Sequence, residues 1–154
     1  MLKLSRLADY AVVILVRLGE MEGVTTSPSL AAETGVPEPT VAKVLKALSG
    51  QGFVLSQRGA KGGYRLARPL AEISVASVIT AMDGRIALTA CVDGGGCDNG
   101  VSCSLCGSWD AINHAIRTTL EGISLENMRL NDKGFMPRAR NGVQGLATLI
   151  GEGT

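Results

Sequence analysis

An apolar stripe at helical spacing, two short helical signatures around a glycine, and a glycine-linked pair of basic, β-prone runs predict a mainly α chain with a small β-hairpin. A second long apolar stripe lies further along. The arrangement is that of a winged helix-turn-helix domain followed by a long C-terminal dimerisation helix. The boundaries fall at residues 1–84 for the winged domain, 85–107 for a cysteine-rich loop, 108–130 for the dimerisation helix and 131–154 for a flexible tail. A chain of 154 residues has room for one domain with a helical extension, not for two ordinary domains.

The first helix runs from Lys3 to Met21, where Leu4, Leu7, Ala8, Ala11, Val12, Leu15 and Leu18 recur three and four apart. Ser27-Pro28-Ser29 supplies an N-cap with proline at the start of a short helix that Gly35 ends. The third helix, Pro39 to Leu48, turns Val41, Val44, Leu45 and Leu48 inward and leaves Thr40, Lys43 and Lys46 outward. Short helix, turn and polar-faced helix make a helix-turn-helix.

Phe53 to Arg58 and Tyr64 to Ala67 then form two strands around the loop Gly59-Ala60-Lys61-Gly62-Gly63. The glycines permit positive φ and a close backbone approach to another surface. Arg58, Lys61, Arg65 and Arg68 fall in this hairpin without an acid among them. A basic wing beside a polar-faced helix predicts contact with double-stranded DNA through Thr40, Lys43, Lys46, Arg58, Lys61, Gly62, Gly63 and Arg65. Charge supports the same division. Residues 1–70 carry nine Lys and Arg against five acids, and residues 71–154 six against nine.

A further helix starts at Ser74, carries Val75, Val78, Ile79 and Met82, and stops near Gly84. Arg85 to Gly107 has no sustained period but holds all four cysteines, Cys91, Cys97, Cys103 and Cys106. Their spacing, Cys-x5-Cys-x5-Cys-x2-Cys, matches neither a zinc ribbon nor a ferredoxin run, so it leaves zinc and iron–sulfur both open. The glycines around them allow a loop wrapped on a ligand, with N–H groups turned toward sulfur. His114, the one histidine, lies on the helix that follows and weighs little as a ligand. That helix begins at Ser108; Trp109, Ile112, Ile116, Leu120 and Ile123 step along it, with a break at Gly122 and a restart at Ser124-Leu125-Glu126. The stripe is too long for the small domain to cover alone and predicts packing between two subunits; the alternative is that it folds back on its own core.

No stretch reaches the roughly 18 apolar residues of a membrane span, and Met-Leu-Lys-Leu-Ser lacks a signal-peptide layout. The expectation is a cytoplasmic protein with no membrane partner. In a reducing compartment clustered thiols favour metal or redox chemistry over structural disulfides. One histidine and scattered carboxylates form no acid–base constellation, so no enzyme is expected.

Over residues 1 to about 128 the chain resembles the iron–sulfur-responsive winged-helix regulators typified by IscR, NsrR and RirA. Leu4-Ser5-Arg6-Leu7-Ala8-Asp9-Tyr10-Ala11 is similar to that family's opening helix, and Ser56 to Ala67 to its wing. Cys91, Cys97 and Cys103 are similar to its three cluster cysteines. The branch regulating Suf-type cluster assembly is the nearest in pattern. The resemblance implies a homodimer on a pseudo-palindromic operator and a [2Fe–2S] or [4Fe–4S] iron–sulfur cluster. It also implies a repressor that senses cluster status and controls cluster-assembly or iron-homeostasis genes. Where IscR-like members have a histidine three residues after the third cysteine, this chain has Cys106. NsrR-like members use instead an aspartate of the other subunit at the position of Asp9; Cys106, a soft thiolate in the same loop, is the preferred fourth ligand. Ala42 stands where IscR has a glutamate that separates operator classes, so that rule does not transfer. The competing expectations are a zinc-binding or thiol-redox-responsive winged-helix regulator, and a redox enzyme or cluster carrier with no operator.

Overall fold

Ser5 opens the first helix of the computed structural model, which describes residues 3–94, 103–105 and 107–130. Its hydroxyl accepts from the Ala8 amide at 3.0 Å, satisfying a free N–H of α1 (Arg6–Glu20). Ala8, Ala11, Ile14, Leu15 and Leu18 then share the buried face. α2 (Ser27–Thr34) and α3 (Glu38–Gly50) pack on each other and on α1. The cap of α2 is Thr26, one residue ahead of the expected serine. Thr26 has extended backbone angles and accepts from Ser29 N–H at 3.3 Å, which puts Pro28 at the second helical position, where its missing N–H costs nothing. Gly35, at φ 71°, ends α2 in the left-handed conformation that glycine adopts without steric cost. Val41, Val44, Leu45 and Leu48 of α3 face the core, as their spacing predicts.

β1 (Val54–Gln57) and β2 (Gly63–Leu66) form the antiparallel hairpin, with Val54 opposite Leu66 and Gln57 opposite Gly63. Thr25, just ahead of α2, pairs with Tyr64 through bonds of 2.9 and 2.8 Å and covers the second edge of β2. This bridge anchors the wing to the body of the domain. Gly63 is what permits it: a Cβ there would lie 2.5 Å from the Thr25 carbonyl oxygen.

A 3₁₀ turn, Leu70–Glu72, leads to α4 (Val75–Asp83), capped by Ser74, which accepts from Ser77 N–H at 3.1 Å, and stopped by Gly84. After an irregular stretch and a second 3₁₀ turn, Val92–Gly94, come α5 (Ser108–Glu121) and α6 (Leu125–Arg129). The expected break at Gly122 and restart at Ser124 are both present, the latter with a reciprocal capping box between Ser124 and Asn127.

The long C-terminal helical stretch is therefore two helices, and they behave differently. Val75 N–H donates to Ile123 O and Leu125 N–H to Ile73 O, each at 2.8 Å, so the turn before α6 is stitched onto the start of α4. Leu125 is fully buried in the main core, with Leu120 and Ile123 packed against it. Burying one leucine completely is worth about 1.5–3 kcal/mol, enough to hold a five-residue helix that could not form alone. The stripe thus divides. Its C-terminal part folds back on its own domain, whereas Trp109 and Ile112 remain 37% and 47% exposed, near the exposed Leu105 in sequence.

Candidate nucleic-acid interface and thiol site

Burying Val41, Val44, Leu45 and Leu48 obliges α3 to present its opposite side to solvent. Ala42, Lys43 and Lys46 are exposed there and Thr40 is half-exposed. Arg58, Lys61 and Arg65 of the hairpin are exposed too. None of these five cations joins an ion pair among the described residues, which engage Arg17, Arg85, Arg117 and Arg129. Cations left without acids are available to phosphate. Gly62 and Gly63 have a different position: each is half-buried and turned toward protein backbone. A Cβ on Gly62 would lie 2.5 Å from Gln57 O, so these two residues tighten the hairpin and seat it on Thr25. Arg68, the last of the basic run, lies over the Phe53 ring at 5.2 Å from its centroid.

The thiol loop joins α4 to α5, and its first half is described. Cys91 is half-buried, with the Thr89 hydroxyl 3.1 Å from its sulfur. Val92 beside it is fully buried. Asp93 adopts φ 55° and ψ 36°, the one described non-glycine with positive φ. Its amide donates to Asp110 Oδ1 at 2.9 Å, and its carboxylate lies 3.7 Å from Arg85 and 3.8 Å from Arg117. Cys103 is a half-buried free thiol shortly before α5. Cys97, Cys106 and the tail 131–154 lie outside the described residues. Among the described residues no three His, Cys, Asp or Glu side chains are grouped so as to hold a metal. Asp9 is exposed in the first turn of α1, and His114 is exposed on α5.

Asn113 was not foreseen from the sequence. It is 1% exposed, the one buried residue of α5, and its amide spans the incoming strand of loop: Nδ2 donates to Ile86 O and Oδ1 accepts from Leu88 N–H, both at 3.0 Å. A signal was present. Asn113 stands four residues after Trp109 and three before Ile116, on the inward side of the stripe.

Half-buried Cys91, hydroxyl-bonded at sulfur and just ahead of Asp93 and Gly94 at positive φ, has the soft-donor chemistry that suits an iron–sulfur cluster or a thiophilic metal. The profile of one family, described as Rrf2, iron-dependent transcriptional regulator, matches residues 4–130. The chain belongs to the Rrf2 family. IscR of Aliivibrio salmonicida is 31% identical to this Rrf2 protein over 134 residues, 86% of this chain and 80% of that one. Among solved structures, CymR, the global cysteine regulator of B. subtilis, aligns with a TM-score of 0.69 and 26% identity, covering 85% of this chain and 98% of its own. IscR of T. potens aligns with a TM-score of 0.62 and 27% identity over 84% and 88%. The Rrf2 protein is thus a winged-helix, DNA-binding transcriptional regulator and not an enzyme. No helix among its described residues is long and apolar enough to cross a membrane.

Proposed function

We propose that this Rrf2 regulator is a cytoplasmic homodimeric repressor that senses iron–sulfur cluster status through Cys91, Cys97, Cys103 and Cys106. Its targets on this reading are genes of Suf-type cluster assembly or iron homeostasis, reached through a pseudo-palindromic operator. The supporting observation is one of placement. A loop holding every cysteine of the chain leads directly into α5, whose exposed Trp109 and Ile112 offer the surface for a second copy. A cluster would supply a ligand whose occupancy and oxidation state change, while the thiols of the loop would hold it. α3 enters the major groove with Thr40, Lys43 and Lys46, and the wing sets Arg58, Lys61 and Arg65 against phosphate. In a dimer related through α5, any change in the loop alters the spacing of the two α3 helices. Occupancy shifts the DNA equilibrium only by its preference between the two arrangements, so a coupling of about 1–3 kcal/mol is the expected scale.

Anaerobic purification with iron and sulfide analysis, followed by DNA titration of holo and apo protein, tests this reading. Coloured protein whose affinity for DNA changes by roughly 5- to 150-fold on cluster loss supports it. Protein without iron or sulfide that still binds its operator would sink it. The second reading, a thiol-redox regulator, is favoured by the likeness to a cysteine regulator and by Cys91 and Cys103 being free thiols. That reading expects colourless protein whose DNA affinity follows disulfide formation.

A further inference from the structure

The segment from Arg85 to Gly94 has no regular hydrogen-bonding ladder apart from its 3₁₀ turn, yet it is held at four points against one helix. Asn113 clamps Ile86 and Leu88 from α5. Val92 is fully buried. Asp110 accepts from the Asp93 amide, and Arg117 and Arg85 flank the Asp93 carboxylate. Ile86 O can only accept and Leu88 N–H can only donate, so the orientation of the Asn113 amide is fixed by its partners. A buried amide with both ends satisfied is costly to pull away, because each partner would be left unpaired. The positive φ at Asp93 persists because its surroundings over-determine it. Cys91 lies between the Leu88 bond and the Asp93 bond.

We propose that Asn113 is a positioning residue for Cys91: it fixes that thiol against α5 before any ligand binds, so that Cys91 is the preformed anchor of the thiol site. The role rests on the reading of the loop as a ligand site, although the clamp itself exists without one. A preformed ligand lowers the ordering cost of binding, and loss of a supporting hydrogen bond behind a metal ligand commonly weakens affinity 10- to 100-fold.

The experiment uses the full chain stripped of metal under reducing, oxygen-free conditions, as wild type, Asn113→Ala and the near-isosteric Asn113→Asp. Asn113→Asp keeps an acceptor for Leu88 N–H but sets an oxygen against Ile86 O. Two readouts are taken: amide hydrogen exchange over residues 86–93, and the N-ethylmaleimide alkylation rate of Cys91 relative to Cys97, resolved by peptide mass. Wild type should protect the Leu88 and Asp93 amides. Asn113→Ala should lose that protection and raise the relative Cys91 rate roughly 10- to 100-fold, and Asn113→Asp, which keeps the Leu88 acceptor but repels Ile86 O, should lose part of the protection and raise the rate by less, with exchange in α1, α3 and α4 unchanged. Cobalt(II) titration, followed by sulfur-to-metal absorption, should weaken by about the same 10- to 100-fold. Exchange of residues 86–93 at unstructured-chain rates in metal-free wild type overturns the proposal, as does an Asn113→Asp protein with wild-type Cys91 reactivity. If wild type and variants alike bind neither cobalt nor iron while the exchange difference holds, the cluster reading fails and the preformed anchor stands.

Discussion

Ser5 and Asp83 are bonded twice across 78 residues of sequence: the Ser5 amide donates to Asp83 Oδ2 at 3.1 Å, and the Ser5 hydroxyl donates to Oδ1. Ser5 is the cap of α1, and Asp83 is the last residue of α4, from which the chain departs toward the cysteines. The pair therefore ties the entry of the thiol loop to the opening turn of the winged domain. Asp83→Ala removes both bonds and leaves the Ser5–Ala8 cap in place, so about 1–2 kcal/mol of stability should be lost. Asp83→Asn keeps one acceptor oxygen and should recover roughly half. Urea unfolding checks this as a lower midpoint with an unchanged slope; an unshifted midpoint for Asp83→Ala would show that the tie contributes nothing in solution.

Gly19 sits in the last turn of α1, where alanine should gain about 0.8–1 kcal/mol of helix propensity. Here packing opposes propensity. A Cβ at Gly19 would stand 2.6 Å from Leu70 Cγ, and Leu70, the first residue of the 3₁₀ turn, is buried. Overpacking of that kind costs about 1–3 kcal/mol, so Gly19→Ala should be destabilising by about 1 kcal/mol net. In a Leu70→Ala background the obstruction is gone, and the same change should become stabilising. A thermal-unfolding double-mutant cycle reads that reversal of sign, and a stabilising effect in both backgrounds would count against the packing argument.

Local chemistry made much of this fold legible in the sequence. Ser74 and Gly84 bound α4, and Gly122 with Ser124 divides α5 from α6, because caps are set by residues within a turn of one another. The buried stripe of α3 followed from spacing alone. What escaped are pairings between distant segments: Thr25 with Tyr64, Ser5 with Asp83, Ser124 with Ser74, and Asn113 with the loop ahead of Cys91. No periodicity encodes them, since each depends on which surfaces the folded helices bring together. The cysteines were legible as residue types clustered in one loop, and the hold that Asn113 of α5 has on the segment ahead of Cys91 was not.

Lys61 and Arg58 stand exposed on the hairpin, and Arg68 is stacked on Phe53. The three cations should therefore separate in function. Lys61→Ala and Arg58→Ala should each reduce the slope of log affinity against log salt by about 1, as expected for one lost phosphate contact. Arg68→Ala should leave the slope alone and cost about 0.5–1 kcal/mol of stability through the lost ring contact. Fluorescence anisotropy on a labelled duplex over a salt series measures the first effect, and chemical unfolding the second. Equal slope losses for all three would assign Arg68 to the phosphate surface instead.

Glu126 and Arg129 close α6 on its outer side, with Arg129 donating to both carboxylate oxygens, at 2.9 and 2.6 Å. Those bonds hold the Glu126 carboxyl below its ordinary range, because they favour the charged form more than desolvation opposes it. A carboxyl whose folded value lies below its unfolded one stabilises the fold at pH above the unfolded value. That contribution drains away as pH falls through the folded value, where the carboxyl is neutral in both states. The pair is exposed, so the effect is small and should weaken further in salt. Melting temperatures taken from neutral to acid pH should show a shallower acid limb for Glu126→Gln than for the native chain, with the two curves meeting at the acid end. An identical acid limb in both proteins, at low ionic strength, would mean that Arg129 does not hold the carboxylate in solution.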